Sequence, residues 1–246
     1  MRSGSEASGC DDRALSLYLV TQGAVQLQTQ DGARLVNAPV LLALRSQQPH
    51  RLQTADDATR CRFISAQVRL TGPVAPLFLA EFAQVRSLPL TEEESALRLA
   101  VQMIEAELDM PRCGQPALLD RAGDILFIGL LRHLVAHPGE QGHGLFAGLA
   151  DARIARVLVA MHQRPSQAWD LESMAVQAGM SRSAFSARFR EVMRKTPGKY
   201  HAALRLVMAQ RAVDLGKGLK EAARAAGYTN TSALSRALAK ARLTAG

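Results

Sequence analysis

The chain has 246 residues, 48% of them apolar, enough for one large domain or two modest ones. Its formal charge of +8 is unevenly divided: from Asp151 onward 17 Lys and Arg stand against 6 Asp and Glu, whereas residues 1–150 hold 13 against 16. No uncharged apolar run reaches the roughly 18 residues of a membrane span, no apolar segment of signal-peptide type opens the chain, and Cys10, Cys61 and Cys113 form no CxxC pair, which argues against a disulfide scaffold or zinc ribbon and suits a reducing cytoplasm. A basic C-terminal part behind a mildly acidic one suits a nucleic-acid-binding module joined to a second function.

Met1 to Arg13 reads as disordered. Ser16–Val20, Ala24–Thr29 and Ala33–Leu35 then read as strands, separated by Gly23 and by Asp31-Gly32, a hairpin signal. Val40–Leu44 and Cys61–Leu70 read as two more, with Pro49-His50 in a turn. Short strands at turn-rich spacing favour a small antiparallel barrel or sandwich. A barrel mouth can hold a small ligand, and His50 is the candidate lining residue, although an ordinary turn histidine is the commoner case. No second metal-ligating side chain accompanies it at the required spacing.

From Thr91 the period becomes helical. Thr91 and Glu94 match a capping box, and Leu97, Val101, Ile104 and Leu108 form a stripe. A second helix spans about residues 117–136 through Leu118, Ile125, Leu126, Leu130 and Leu134, with Gly123 and Gly129 permitting close contact. These helices either close the barrel or pair with a second subunit. His133 and His137 are spaced i, i+4 and His143 follows, but without an interposed acid or a fourth ligand, so neither a metal nor any cofactor is expected. The Gly-rich stretch 138–148 reads as a hinge.

The basic part opens with a helix over Ala152–His162. Asp170 can cap a helix bearing Leu171, Met174, Ala175 and Ala178 on one face, and Gly179 can end it. Ser181 can cap a second helix with Phe185, Phe189 and Val192 inward and Arg182, Ser183, Ser186, Arg188 and Arg190 outward. This is the pattern of a helix-turn-helix, whose second helix enters the major groove. Thr196 and Pro197 open a longer helix running to about Leu215, with Arg205 and Arg211 on its outer face. Leu171, Ala175 and Gly179 then recur 48 residues on as Leu219, Ala223 and Gly227. Phe185 and Phe189 map to Leu234 and Leu238, and Asn230 takes the capping place of Ser181. Such a repeat is much harder to produce by chance than one motif.

Groove chemistry divides the labour. Arg182, Ser183, Ser186 and Arg190 in the first motif, and Thr231, Ser232, Ser235 and Arg236 in the second, are the base-reading candidates. Arg188, Lys195, Lys199 and Lys240 are the phosphate-contact candidates. The motif core is expected to comprise Leu171, Ala175, Gly179, Phe185, Phe189, Leu219, Ala223, Gly227, Leu234 and Leu238.

The segments MHQRPSQAWDLESMAVQAGMSRSAFSARFREVMRKTPGKY and AAGYTNTSALSRAL resemble the AraC/XylS family of bacterial transcription regulators. QQPHRL, VRSLPL and DRAGDILFIGLLRHLVAH are similar to the cupin-like sensor domain of one branch. The resemblance implies an α+β two-domain protein: a small antiparallel β-barrel, cupin-like, with trailing helices over 1–140, a hinge over 141–151, and an all-α domain with two helix-turn-helix motifs over 152–246. It implies that the chain begins part-way into the sensor domain and ends short of the family's last Gly-Pro-Tyr segment. The implied function is sequence-specific regulation of transcription, with double-stranded DNA, a second copy of the chain, a small effector and RNA polymerase as partners, and no membrane. The competing readings are a degenerate relative that binds DNA without sequence preference and a small-barrel enzyme. The enzyme reading lacks a nucleophile–base pair or paired carboxylates.

Overall fold

The computed structural model describes residues 5–6, 13–55, 60–72, 74–90, 95–138 and 143–245. The expected capping box of Thr91 and Glu94, and nearly all of the expected disordered start, lie outside these residues. The chain divides into two compact units. One comprises Met1–Leu70 and Phe82–Leu134. The other comprises Thr71–Glu81 and Val135–Gly246, so a segment from the middle of the strand region belongs to the C-terminal unit.

The first unit is α+β. Its strands are β1 (Ser5–Glu6), β2 (Ala14–Gln22), β3 (Ala24–Thr29), β4 (Gly32–Asn37), β5 (Val40–Arg45), β6 (His50–Thr54), β7 (Arg62–Arg69) and β8 (Arg86–Pro89). They form two antiparallel four-stranded sheets, in the orders β1-β6-β3-β4 and β7-β2-β5-β8. The expected β-barrel is therefore corrected: among the described residues no ladder joins the edge strands of one sheet to those of the other, and neither sheet closes. Turn spacing cannot separate the two outcomes, because hairpins of this length build sandwiches and barrels alike.

Side chains from both sheets fill the space between them: Tyr18, Val20, Val40, Leu42 and Leu44 from one, Val25, Leu27, Val36 and Leu52 from the other. β2 and β5 are buried on both faces, since Leu15, Leu17, Leu19 and Leu41 are covered as fully as their alternates. Continuous apolar strands of this kind suit a sheet covered on both sides. Three strands escaped the sequence reading. β1 lies in the stretch expected to be disordered. His50 opens β6 instead of sitting in a turn, and β8 is only four residues long. Helices α2 (Ser95–Asp109) and α3 (Gln115–Ala136) follow. They pack closely where Gly129 meets Leu97, whereas Gly123 has open space beside it. Leu108 and Ile125, expected inward, are 40% and 42% exposed.

The second unit is helical. Helix α1 (Ala75–Leu79) lies in the segment between β7 and β8, and α4 (Leu145–Ala150) lies inside the stretch read as a hinge. The rest are α5 (Ala152–Gln163), α6 (Leu171–Ala178), α7 (Arg182–Met193), α8 (Pro197–Asp214), α9 (Leu219–Ala225) and α10 (Thr231–Ala245). One core joins Ile154, Val157, Leu158, Met161, Trp169, Met174, Phe185, Phe189, Tyr200 and Leu204, with Val74, Leu77 and Phe78 of α1 against it. A smaller core around Ala209, Ala222, Ala223, Ala226 and Leu234 holds the last helices.

Candidate nucleic-acid interface

Both helices of the first motif begin on a sequence signal, and the first of them also ends on one. The Asp170 carboxylate accepts from the Ser173 amide at 2.8 Å, and the Ser173 hydroxyl closes a reciprocal capping box. Gly179 ends α6 at φ +66°, in the left-handed region where a side chain is strained. Ser181 caps α7 by accepting from the Ala184 amide, and Thr196 caps α8 in the same way from Lys199. In the second motif Gly227 has φ +72° and Asn230 accepts from the Ala233 amide at 2.8 Å. The 48-residue repeat thus recurs as geometry: a helix, a left-handed glycine, a polar cap, a second helix.

The cores differ in quality. Ala175, Phe185 and Phe189 are buried, and the two rings meet edge to face at 5.6 Å. Ala223 and Leu234 are buried in the second motif, with Leu238 partly covered. Leu171 and Leu219, expected in the core, are 37% and 45% exposed. Both are the first residue of their helix and stand at the rim.

Of the base-reading candidates, Arg182, Ser183 and Arg190 are exposed and Ser186 half-buried on α7. Ser232, Ser235 and Arg236 are exposed and Thr231 half-buried on α10. Arg182 Nη1 lies 3.3 Å from Glu172 Oε2, with both side chains about two-thirds exposed, a pair that contributes ~0–1 kcal/mol and can open for a ligand.

Lys195, Lys199 and Lys240 are exposed. Arg188, expected on phosphate, is engaged inside the protein: Nε donates to Asp151 Oδ2 at 2.7 Å and Nη1 to Glu191 Oε2 at 3.0 Å. Asp151 also caps α5 through the amides of Arg153 and Ile154. Burial pushes its carboxyl upward, but Arg188 and those amides outweigh it and hold it below the usual carboxylate range.

Two arginines went unnoticed as structural groups. Arg156 of α5 donates from Nη2 to the Ala178 carbonyl at the end of α6, at 3.0 Å. Arg205 of α8, read as outer face, donates from Nε to the Ala226 carbonyl at 2.7 Å and from Nη2 to the Gly227 carbonyl. Its guanidinium lies 4.4 Å from the Tyr228 ring centroid. The signal was present, since Ala178 and Ala226 are the same position of the repeat.

In the first unit His50 Nε2 stands 2.7 Å from the Tyr18 hydroxyl and Nδ1 2.6 Å from the Gln48 carbonyl. A carbonyl can only accept, so Nδ1 carries the proton and Tyr18 donates to Nε2. The Ser16 and Ser46 hydroxyls bond each other at 3.0 Å within the same unit. His50 lines neither of two surface cavities of about 330 and 250 Å³ on this unit. Among the described residues no three His, Cys, Asp or Glu side chains are grouped to hold a metal.

A cupin family model matches residues 2–136, and a helix-turn-helix domain model matches residues 174–242. The chain belongs to the AraC/XylS family of regulators, with a cupin domain followed by a helix-turn-helix region. It is 28% identical over 200 residues to the RCS-specific transcriptional activator RclR of Escherichia coli, covering 78% of this chain and 68% of that one. It is 28% identical to a putative AraC-like transcription regulator of Streptomyces lividans over 59% of this chain and 48% of that one. It is 29% identical to the regulator AlkR of Acinetobacter baylyi over 57% and 46%. The chain thus spans about half the length of several curated relatives it matches. Among solved structures it is similar to the DNA-binding domain of AdpA in complex with a target DNA, at 26% identity, 35% of this chain, 78% of that one and a TM-score of 0.34. It is also similar to ToxT of Vibrio cholerae with a bound unsaturated fatty acid, at 11% identity, 91%, 82% and a TM-score of 0.41.

Proposed function

We propose that this chain is a sequence-specific DNA-binding transcription regulator that works in the cytoplasm as a homodimer, responds to a small effector and contacts RNA polymerase. The carrying observation is the pair of capped helix-turn-helix motifs joined by α8, with Arg182, Ser183 and Arg190 exposed on α7 and Ser232, Ser235 and Arg236 on α10. The family's regulators support the transcriptional role, and RclR, described as an activator, supports contact with polymerase. The cupin domain supports the effector. Ile125 and Ile128, 42% and 48% exposed on α3, supply an apolar face for a second copy.

Selection of bound duplexes from a random pool tests the reading. Two short recurring motifs at a fixed separation are the expected result, with binding that survives non-specific competitor at physiological salt. Phosphate-only binding would instead give no recurring sequence and collapse steeply as salt rises.

A further inference from the structure

We infer that Arg156 and Arg205 are paired positioning residues, each reaching from the helix that precedes a helix-turn-helix to grip the carbonyl end of that motif's first helix and so fix the direction in which the reading helix leaves the turn. The inference rests on the DNA-reading function proposed above.

The end of an α-helix leaves carbonyls without intrahelical partners and carries partial negative charge. In α6 the amides of Gly179 and Met180 satisfy the carbonyls of Val176 and Ala175, and the Ala178 carbonyl is left to Arg156. In α9 the amides of Gly227 and Tyr228 satisfy those of Arg224 and Ala223, and the Ala226 and Gly227 carbonyls are left to Arg205. The same two turn bonds and the same orphan carbonyl recur at the same place in the repeat. In both motifs the donor is a guanidinium from the preceding helix, and hydrogen bonds to a charged donor are the stronger kind. Arg205 reaches two successive carbonyls and rests on Tyr228, a geometry that a lysine ammonium cannot copy.

The two grips carry unequal weight. The first turn is also held by the Asp170 capping box and the Phe185–Phe189 pair. The second lacks both: α9 has Gly218 in place of a side-chain cap, and leucines replace the phenylalanines. Arg205 therefore matters more than Arg156.

The full chain is assayed on the selected duplex, with base changes placed in one half-site at a time. The wild type is penalised by changes in either half. Arg205→Ala and Arg205→Lys are expected to lose about tenfold discrimination in the half read by α10 while keeping it in the half read by α7. Arg156→Ala should show the opposite pattern with a smaller loss. Amide exchange, which needs no DNA, should quicken at 227–234 in the Arg205 variants and leave α7 unchanged.

Equal losses in both halves, or none, would overturn the inference. So would rescue of affinity by Arg205→Lys with a shallower salt dependence in Arg205→Ala, the mark of a phosphate contact. A wild type without sequence preference would defeat the proposed function instead, and amide exchange alone would then decide whether Arg205 holds its turn.

Discussion

Arg182 and Lys199 are both exposed cations, but they open different helices. Arg182 opens α7, the helix proposed to read bases, and pairs with a solvent-exposed Glu172. Lys199 lies in the first turn of α8. Arg182→Ala should relax sequence preference, worth about 1–3 kcal/mol of discrimination at one base pair. Lys199→Ala should weaken all duplexes alike and lower the salt slope by about one. Competition titrations at two salt concentrations check both.

Two histidines inside the helical unit set its acid limit. Burial lowers His162, whose Nε2 meets the Tyr200 hydroxyl at 2.7 Å. Burial also lowers His201, with Arg205 adding to the effect and the bond to the Pro165 carbonyl opposing it. Unfolded histidine titrates near 6.5, so below that pH the unfolded chain takes up protons that the folded chain resists. The stability from the neutral rings is complete above about pH 6.5 and is lost as pH falls through the lower folded values. Thermal melting should therefore drop between pH 7 and pH 5, and His162→Gln should flatten that drop.

At the scale of elements, the two turn glycines look alike in sequence and differ in surroundings. A Cβ on Gly179 would meet nothing nearer than Arg156 Nη2 at 3.7 Å, but one on Gly227 would stand 2.5 Å from the Ser166 carbonyl oxygen. Gly179→Ala should cost only the left-handed backbone, about 1–2 kcal/mol. Gly227→Ala adds a backbone clash and should cost about 2 kcal/mol more. Denaturant titration of both variants measures the difference, which is the worth of the close approach between the second turn and the loop before α6.

The helix-turn-helix elements were legible because each end is written in local residues: Asp170, Gly179, Ser181, Thr196, Pro197, Asn230. The arginine grips were not, because hydropathy pattern assigns a lysine or arginine to the outer face wherever its long stem carries the charge. Arg205 and Arg188 fold back onto carbonyls and a carboxylate that only tertiary packing brings near. β8, α1 and α4 are each too short to display a period.

For the whole molecule, the longer strands were legible but whether their sheets close was not, since closure depends on edge pairing rather than on any strand's own pattern. The division of the chain was also hidden. The segment 71–81 lies in sequence between β7 and β8 and contains α1, yet it is part of the helical unit. Phe78 meets Phe146 edge to face at 5.6 Å, and Glu81 Oε1 accepts from the Leu145 amide at 3.0 Å. Phe78→Ala should destabilise the helical unit by about 3 kcal/mol. Amide exchange should report that loss in α4–α8 and not in the sandwich strands.

The borrowed segment also governs how this protein can be taken apart. A cut near residue 138, where the chain looks divisible, would sever the helical part from eleven of its own residues. A chimera that joined this C-terminal part to a foreign sensor would inherit a wound in its interior, unless residues 71–81 travelled with it.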